Sequence, residues 1–356
     1  MRFINAIFTT ATPGEVWSNK DIFPHYERAI NALPLADEEH DKLMKAVRYF
    51  LMGERTRRGI PNWLDLQHFK ERAMAFETSA EAILDTLAEQ ITQATEGSGI
   101  VFDAILTTTS TGNLMPGLSY RLAHRLKQVV RPDSMMIDLG NVGCTGGIKA
   151  LNLANQLDSA FENILVVSLE LPSTVINWNG TSVDVWQGQC TFGDGAAALW
   201  VSKRPELGEM ALKLEQIKYV QQAATGLNLI RWGYSDYYTF RLANEKTFNR
   251  DIQAFVAEAL WNTESIWRQT THWAIHPAGI TLLLRLSRKL GLPREALSYS
   301  VAHYEKFSNM SSASILHILK DIAVDVPVGT AINLVTMGAG LNVIYGCVKK
   351  EKLTDT

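Results

Sequence analysis

Three residues far apart in the chain, Cys144, His276 and Asn309, could together transfer an acyl group. Each stands beside a short apolar run or an apolar helical stretch, so each is expected at a strand end or a helix start. A thiolate with a nearby imidazole can take an acyl group from a thioester. An imidazole and a carboxamide can also hold an enolate oxygen, which is the charge that develops when a malonyl thioester loses carbon dioxide. The set suits acyl capture followed by decarboxylative carbon–carbon bond formation.

Cys144 lies at a glycine-bearing corner within the stretch from Ser134 to Leu157. Met135–Ile137 has strand character, and the residues after the corner form an apolar helix. At a helix start, unpaired backbone N–H groups and the positive end of the dipole favour the thiolate. Glycines on both sides let a substrate approach the backbone closely. Taken alone, the corner leaves open a second interpretation, a buried structural cysteine.

His276 and Asn309 are also ambiguous when each is considered alone. A single histidine is more often a hydrogen-bonded core residue or a surface residue than a catalytic group. An asparagine before Ser311-Ser312 is more often a helix cap. The same three residue types, in the same order, also serve papain-like hydrolases, but here no tryptophan follows the cysteine. The placement of all three at equivalent corners favours a common site.

The composition excludes several classes of protein. The chain has 356 residues and a formal net charge of −3, and it contains no lysine or arginine stripe that would indicate nucleic-acid binding. No apolar run has the length of a membrane span, and the N-terminus lacks the pattern of a secretory signal. Three cysteines are too few and too scattered for a disulfide framework, and no CxxC or HExxH spacing indicates a metal site. We therefore expect a reduced, cytoplasmic protein without a metal or other cofactor.

The elements around the three residues alternate between strands and helices, which predicts an α/β fold with buried central helices. The chain divides into two similar halves, residues 1–202 and 203–356, each with the order strand, helix, strand, helix. In the second half the predicted strands are Trp273–Ile275 and Ser298–Ala302, and Asn309 then falls where Cys144 falls in the first. A helix is also predicted from Ile252 to Arg268.

Basic residues cluster upstream of these elements. These residues can simply form a solvated loop. Alternatively, they can bind the phosphates of a substrate with a nucleotide tail. The candidates are Lys45, Arg48, Arg55, Arg57 and Arg58.

Five motifs resemble those of a known family, the condensing enzymes of the thiolase superfamily. The sequence is most similar to the chalcone-synthase-like (type III) polyketide synthases and next to the ketoacyl synthase III group. The resemblance runs from about Val101 to Lys349, and its motifs are Ser110-Thr111-Gly112 with Met115-Pro116-Gly117, Gly143-Cys144-Thr145-Gly146-Gly147, Gly188-Gln189 with Phe192-Gly193-Asp194-Gly195, His276-Pro277-Ala278-Gly279, and Asn309-Met310-Ser311-Ser312.

The resemblance implies a five-layered α-β-α-β-α fold, a homodimer, and acyl-CoA, malonyl-CoA or acyl-carrier-protein substrates. Cys144 would be the acylated nucleophile, while His276 and Asn309 would stabilise the enolate. Backbone N–H groups of Cys144 and of the loop Gly338-Ala339-Gly340 would hold the oxyanion. Phe192 would gate the pocket, and Ser110, Thr111 and Thr191 would line it. Met115 would reach into the cavity of the partner subunit.

Departures from the family pattern concern the surroundings of these residues. The glycine usual before the asparagine is Ser308, and Ala278 stands where glycine is common. The implied activity is a ketosynthase that forms a β-ketoacyl or short polyketide product. Two alternatives stay open within the fold: acyl transfer or the joining of acyl chains without iteration, and a non-catalytic partner of another ketosynthase.

Overall fold

One continuous sheet of nine strands organises the molecule. The structure is a computed structural model, and it describes residues 2–205, 211–234, 238–242, 245–261 and 270–352. The strands are β1 (Phe3–Thr10), β2 (Val16–Ser18), β3 (Thr56–Arg58), β4 (Phe102–Thr109), β5 (Val130–Gly140), β6 (Asn163–Glu170), β7 (Gly195–Ser202), β8 (Ala211–Gln221), β9 (Ile230–Tyr234), β10 (Tyr238–Leu242), β11 (His272–Ile275), β12 (Ala331–Gly338) and β13 (Asn342–Glu351). The helices are α1 (Asn19–Asn31), α2 (Asp37–Phe50), α3 (Phe69–Thr95), α4 (Leu118–Arg125), α5 (Gly146–Gln156), α6 (Val183–Thr191), α7 (Ala223–Gly226), α8 (Glu245–Trp261), α9 (Ile280–Leu290), α10 (Ser298–Phe307) and α11 (Ser314–Asp325).

The strand order joins the two halves of the chain edge to edge. Nine strands are arranged β11-β12-β13-β8-β1-β7-β6-β4-β5. β4 is parallel to both β5 and β6, and β11 is parallel to β12, while β1, in the centre, is antiparallel to β7 and β8. The two-stranded ribbons β2–β3 and β9–β10 lie outside this sheet.

Three separate hydrophobic cores give the predicted five-layered α-β-α-β-α arrangement, which the structure confirms. The central core contains α5 and α11 and receives side chains from strands of both halves, for example Leu106 from β4 and Leu334 from β12. The outer core of the first half includes α3, and that of the second half includes α8 and α9. α5 and α11 are apolar around most of their surface because sheet strands cover them on both sides.

One predicted strand is wrong. Residues Ser298–Ala302 begin α10 rather than forming a strand. The alternation Ser-Tyr-Ser-Val-Ala suggested a strand, but Ser300, His303 and Tyr304 are buried at the i, i+3, i+4 spacing of a helix. The second half therefore has a helix where the first half has β5. The predicted helix Ile252–Arg268 starts earlier, at Glu245, and its part beyond Trp261 lies outside the described residues. The division at residue 202 stays a prediction.

No helix within the described ranges is long and apolar enough to cross a bilayer. In the same ranges, no group of three or more His, Cys, Asp or Glu side chains could hold a metal ion. The three cysteines are free thiols.

Gly147 allows α5 and α11 to approach closely, and its replacement should weaken the central core. A methyl group at this position would lie 2.5 Å from the Ser312 carbonyl oxygen, which belongs to backbone and cannot rotate away. We expect Gly147→Ala to lower the free energy of unfolding by about 1–3 kcal/mol, as overpacking does in other cores. Denaturant titration measures this change.

Gly140→Ala is the matched control, since a methyl group there meets nothing within 4 Å. Equal stability of the two variants would show that the helices do not meet at Gly147.

Candidate active site

Cys144 lies in the tight turn that links β5 to α5. The turn is a 3-10 helix over Gly143–Thr145, and α5 starts at the next residue. Gly143 adopts a left-handed conformation with φ of 62°, which a residue with a side chain rarely adopts. Its backbone N–H donates to Ser110 Oγ at 2.8 Å, so the loop after β4 fixes the entry to the turn.

Asn309 lies in a corresponding turn between α10 and α11. Its backbone N–H donates to the Thr191 carbonyl at 3.1 Å, and its carbonyl accepts from Gly193 N–H at 3.0 Å. Its Oδ1 accepts from Ser311 N–H at 2.8 Å. Asn309 and Cys144 line the same cavity, so the structure brings the predicted thiol and carboxamide together at one site.

His276 follows β11 and is buried, with 1% of its surface exposed. Its backbone N–H donates to the Val335 carbonyl at 2.8 Å. Ala278, two residues further on, lines the same cavity as Cys144 and Asn309, whereas His276 itself does not line it. Burial lowers the pKa of the imidazole to about 3, so His276 is neutral at physiological pH.

The loop from Gly338 to Gly340 lies against the backbone of Cys144, as the resemblance implied. A methyl group on Gly338 would be 3.4 Å from the Cys144 backbone nitrogen. Thr336, which precedes the loop, donates from Oγ1 to the Cys144 carbonyl at 3.1 Å. The backbone of the loop is thus a neighbour of the Cys144 backbone.

Sequence reasoning missed Glu170, a buried carboxylate that organises the site. It accepts hydrogen bonds from the backbone N–H of Ser110 at 3.0 Å and from three hydroxyls, those of Thr111 at 3.1 Å, Ser311 at 3.2 Å and Ser312 at 2.5 Å. Burial raises its pKa. The available signal was a single acidic residue at the end of the mostly apolar strand β6. A buried charge is costly unless hydrogen-bond donors surround it.

A cavity of about 830 Å³ opens above these residues. Of the predicted pocket residues, Ser110, Thr111, Thr191 and Phe192 line it, and the Phe192 ring packs edge to face on Phe240 with centroids 4.9 Å apart. Met115 lies elsewhere, on the surface, and is 95% exposed.

Of the predicted phosphate-site residues, Arg55 and Arg57 are 7% and 3% exposed, and Arg55 lines the cavity. The Arg57 guanidinium donates to the carbonyls of Gln189 at 2.9 Å and Cys190 at 2.6 Å, and that of Arg55 binds the Cys190 carbonyl and the Tyr304 hydroxyl. Both therefore satisfy backbone carbonyls that the end of α6 leaves without partners.

Three of the other basic candidates differ in their surroundings. Arg58 is half-buried and donates to the Gly14 carbonyl at 2.9 Å. Arg48 pairs with Glu27 at 3.3 Å and lies over the Phe23 ring. Lys45 is exposed on α2, one helical turn before Tyr49, which lines the cavity mouth.

Sequence comparisons connect this site to known proteins. The profile of 3-oxoacyl-[acyl-carrier-protein] synthase III matches residues 137–217, and that of the C-terminal domain of chalcone and stilbene synthases matches residues 238–346. The β-ketoacyl-[acyl-carrier-protein] synthase III of Oleidesulfovibrio alaskensis is 28% identical over 293 residues, which cover 76% of this chain and 84% of that protein. These regions contain the Cys144 turn and the Asn309 turn.

The chain is thus similar to condensing enzymes of the 3-oxoacyl synthase III and chalcone synthase families.

Solved structures show the same fold. The type III polyketide synthase domain of Steely1 from Dictyostelium superposes with a TM-score of 0.84 at 20% identity, covering 99% of both chains. The 1,3,6,8-tetrahydroxynaphthalene synthase of Streptomyces coelicolor A3(2) also gives 0.84, at 19% identity over 99% of this chain and 100% of that chain. CsyB complexed with CoA-SH gives 0.81, at 18% identity over 98% of this chain and 100% of that chain.

Cys144 is a thiol at physiological pH, contrary to the expectation of a thiolate from the helix start. Burial raises the pKa of Cys144, hydrogen bonds from Ser311 and Asn309 lower it, and the Glu170 carboxylate raises it again. Ser311 Oγ lies 3.7 Å from the sulfur. Loss of hydration outweighs the donors at the turn.

Two variants should shift the Cys144 pKa in opposite directions. Ser311→Ala removes a donor to the thiolate, so it should raise the pKa and slow alkylation by iodoacetamide at a fixed pH. Glu170→Gln removes a negative charge beside the sulfur, so it should lower the pKa and speed alkylation. Peptide mapping of Cys144 over a pH series measures both.

Ser287→Ala serves as the control, because it removes a buried hydroxyl that bonds to the Leu292 carbonyl outside the cavity. Shifts of the same sign in both variants would contradict this account of the thiol.

A buried imidazole pair lies on α10 and α11 near His276. The His303 and His317 rings are 5.6 Å apart, and His317 Nε2 lies 2.8 Å from the Ala196 carbonyl oxygen. Burial, reinforced by His317, His276 and Lys306, lowers the pKa of His303 well below its ordinary value. The condensing enzyme therefore holds three neutral imidazoles in this region.

His303→Phe should make stability less sensitive to acid. Below pH 6.5 the unfolded chain binds a proton at this histidine and the folded chain does not, so stability falls as the pH falls. Between pH 6 and pH 5 the wild type should lose about 1 kcal/mol more than the variant. Urea titrations at both pH values measure the difference, and an equal loss in both proteins would show that His303 is charged when folded.

Proposed function

We propose that the condensing enzyme joins an acyl group carried on Cys144 to a malonyl or β-ketoacyl unit by decarboxylative Claisen condensation. The observation that supports this most is that Cys144 and Asn309 line one cavity of about 830 Å³, with Ser311 bonded to both residues. This pairing places a nucleophile next to a neutral hydrogen-bond donor, which is what acyl capture and enolate stabilisation each require.

In the first half-reaction, the Cys144 sulfur attacks the thioester carbonyl of an acyl donor. A carbon–sulfur bond to Cys144 forms, the bond to the departing thiol breaks, and the proton lost by Cys144 ends on that thiol. The backbone N–H groups of Cys144 and of the loop Gly338–Gly340 lie close enough together to hold the intermediate oxyanion. His276, whose buried ring nitrogens have no hydrogen-bond partner among the described residues, would relay the proton in transit.

In the second half-reaction, a malonyl thioester loses carbon dioxide. The electrons of the broken carbon–carbon bond move onto the thioester oxygen as an enolate, to which His276 and Asn309 donate hydrogen bonds. The enolate carbon then attacks the acyl group, and the bond to Cys144 breaks, which restores the thiolate. A neutral His276 suits this role because its N–H strengthens as a donor only when charge develops on the substrate.

The lining of the cavity suits an apolar acyl group next to a polar thioester. Its wall on the β9–β10 side consists of Ile230, Trp232, Phe240 and Leu242, while Ser110 and Thr191 lie at the cysteine end. Acyl-CoA or an acyl carrier protein would deliver the acyl group, and no cofactor takes part. The phosphate candidates nearest the cavity are Lys45, which is exposed near its mouth, and Arg55, which lines it. One neighbour in structure, CsyB, is complexed with CoA-SH.

We also propose that the condensing enzyme is a homodimer. β5 is an edge strand of eleven residues that pairs with β4 on one side, and its residues are exposed or half-buried along its length. A long unpaired edge favours pairing with a second chain. Met115, Tyr120 and Met135 are large apolar side chains that are exposed, and a second chain would cover them.

The two half-reactions should respond differently to two substitutions. Cys144→Ala should abolish acylation and product formation. Asn309→Ala should leave acylation within a few-fold of wild type but slow carbon dioxide release from malonyl-CoA by about 10²–10³-fold, because one enolate donor is lost. Release of labelled carbon dioxide and intact-protein mass measure the two steps.

Cys347→Ala is the control, since it removes a buried thiol in β13 outside the cavity. Full turnover by Cys144→Ala would disprove the proposed function.

A further inference from the structure

Ser308, the residue before Asn309, has a backbone conformation that is almost restricted to glycine. It ends α10 with φ of 61° and ψ of −153°. It is fully buried, and its backbone N–H donates to the Tyr304 carbonyl at 2.9 Å. A side chain persists in such a conformation only where the surroundings determine it strongly, and such residues concentrate at functional sites.

The Ser308 hydroxyl is one half of a reciprocal pair of hydrogen bonds with β3. Ser308 Oγ donates to the Thr56 carbonyl at 2.9 Å, and Thr56 Oγ1 donates to the Lys306 carbonyl at 2.6 Å. The two bonds run in opposite directions between the same two segments. They fix the end of α10 against β3 at the point where the chain turns towards Asn309.

β3 is a firm support for this anchor because both residues that follow Thr56 are held in place. The Arg57 guanidinium binds carbonyls at the end of α6, and the Arg58 carbonyl accepts from the Asp194 N–H at 3.0 Å. The segment after α6 in turn carries Thr191 and Gly193, whose backbones bond to Asn309. The Asn309 turn is thus held from one side by Thr191–Gly193 and from the other by Ser308.

We propose that Ser308 is a positioning residue, which holds the Asn309 carboxamide in place for the decarboxylation of the malonyl unit. This inference rests on the proposed function. Ser308 does not touch the substrate, because its hydroxyl points to β3. It acts through the backbone, since a small rotation about its bonds displaces the next side chain. Glycine would allow the same turn but would not fix it. It lacks the hydroxyl that bonds to β3, and its backbone can adopt many other conformations.

Ser308→Gly is the decisive variant, since it removes the hydroxyl without creating backbone strain and should fold. We expect kcat for carbon dioxide release from malonyl-CoA to fall about tenfold, with KM changed less than twofold, because a misplaced donor weakens the transition state more than binding. Acylation of Cys144 should stay within twofold of wild type. Ser308→Ala should also lose decarboxylation but melt at a lower temperature, because alanine keeps the strained φ without the anchor.

Thr56→Val is the matched control. It removes the reverse hydrogen bond to Lys306 and keeps the carbonyl that accepts from Ser308, so decarboxylation should stay within twofold of wild type. Wild-type decarboxylation by Ser308→Gly, or a parallel fall of acylation, decarboxylation and melting temperature, would overturn the inference. A wild-type enzyme that performs neither half-reaction would instead overturn the proposed function, and this assignment with it.

Discussion

The buried carboxylate of Glu170 is the constraint on which the rest of the site depends. A carboxylate without water must be bound by donors, and here they come from the loop after β4 and from the turn that starts α11. Ser311 connects the carboxylate to the Cys144 thiol, since the same hydroxyl also lies 3.7 Å from Cys144 Sγ. The carboxylate therefore joins segments from both halves of the chain around one sulfur.

Apart from the Glu170 carboxylate, the groups of the site are neutral, because burial keeps His276 uncharged and Cys144 as a thiol. In the proposed function, charge therefore develops during the reaction, on the substrate oxygens. Fixed donors in a buried site are most effective under this condition, because they need no reorientation when the charge develops. The close contact of α5 and α11 at Gly147 has the same consequence, since it leaves the Cys144 and Asn309 turns little freedom to separate.

The sequence was informative where local patterns decide the structure. Glycines around Cys144 predicted a tight turn before a helix, and apolar stretches predicted α5 and α11 as central helices, because full burial leaves no polar face. It failed where tertiary contacts decide. Alternating residues from Ser298 suggested a strand, but these residues begin a helix. Nothing in the sequence indicated that two of the arginines after Gly53, the candidates for a phosphate site, bind carbonyls at the end of α6. Glu170 was missed because its donors come from segments about 60 and 140 residues away.

The covalent step is tested most directly by mapping where an acyl group is attached. After brief exposure of the wild-type enzyme to a panel of acyl-CoAs, tandem mass spectrometry of its peptides should find the acyl mass on Cys144 and not on the buried thiols Cys190 and Cys347. An enzyme that forms product while Cys144 stays unmodified, or an acyl group located only on another residue, would contradict the account.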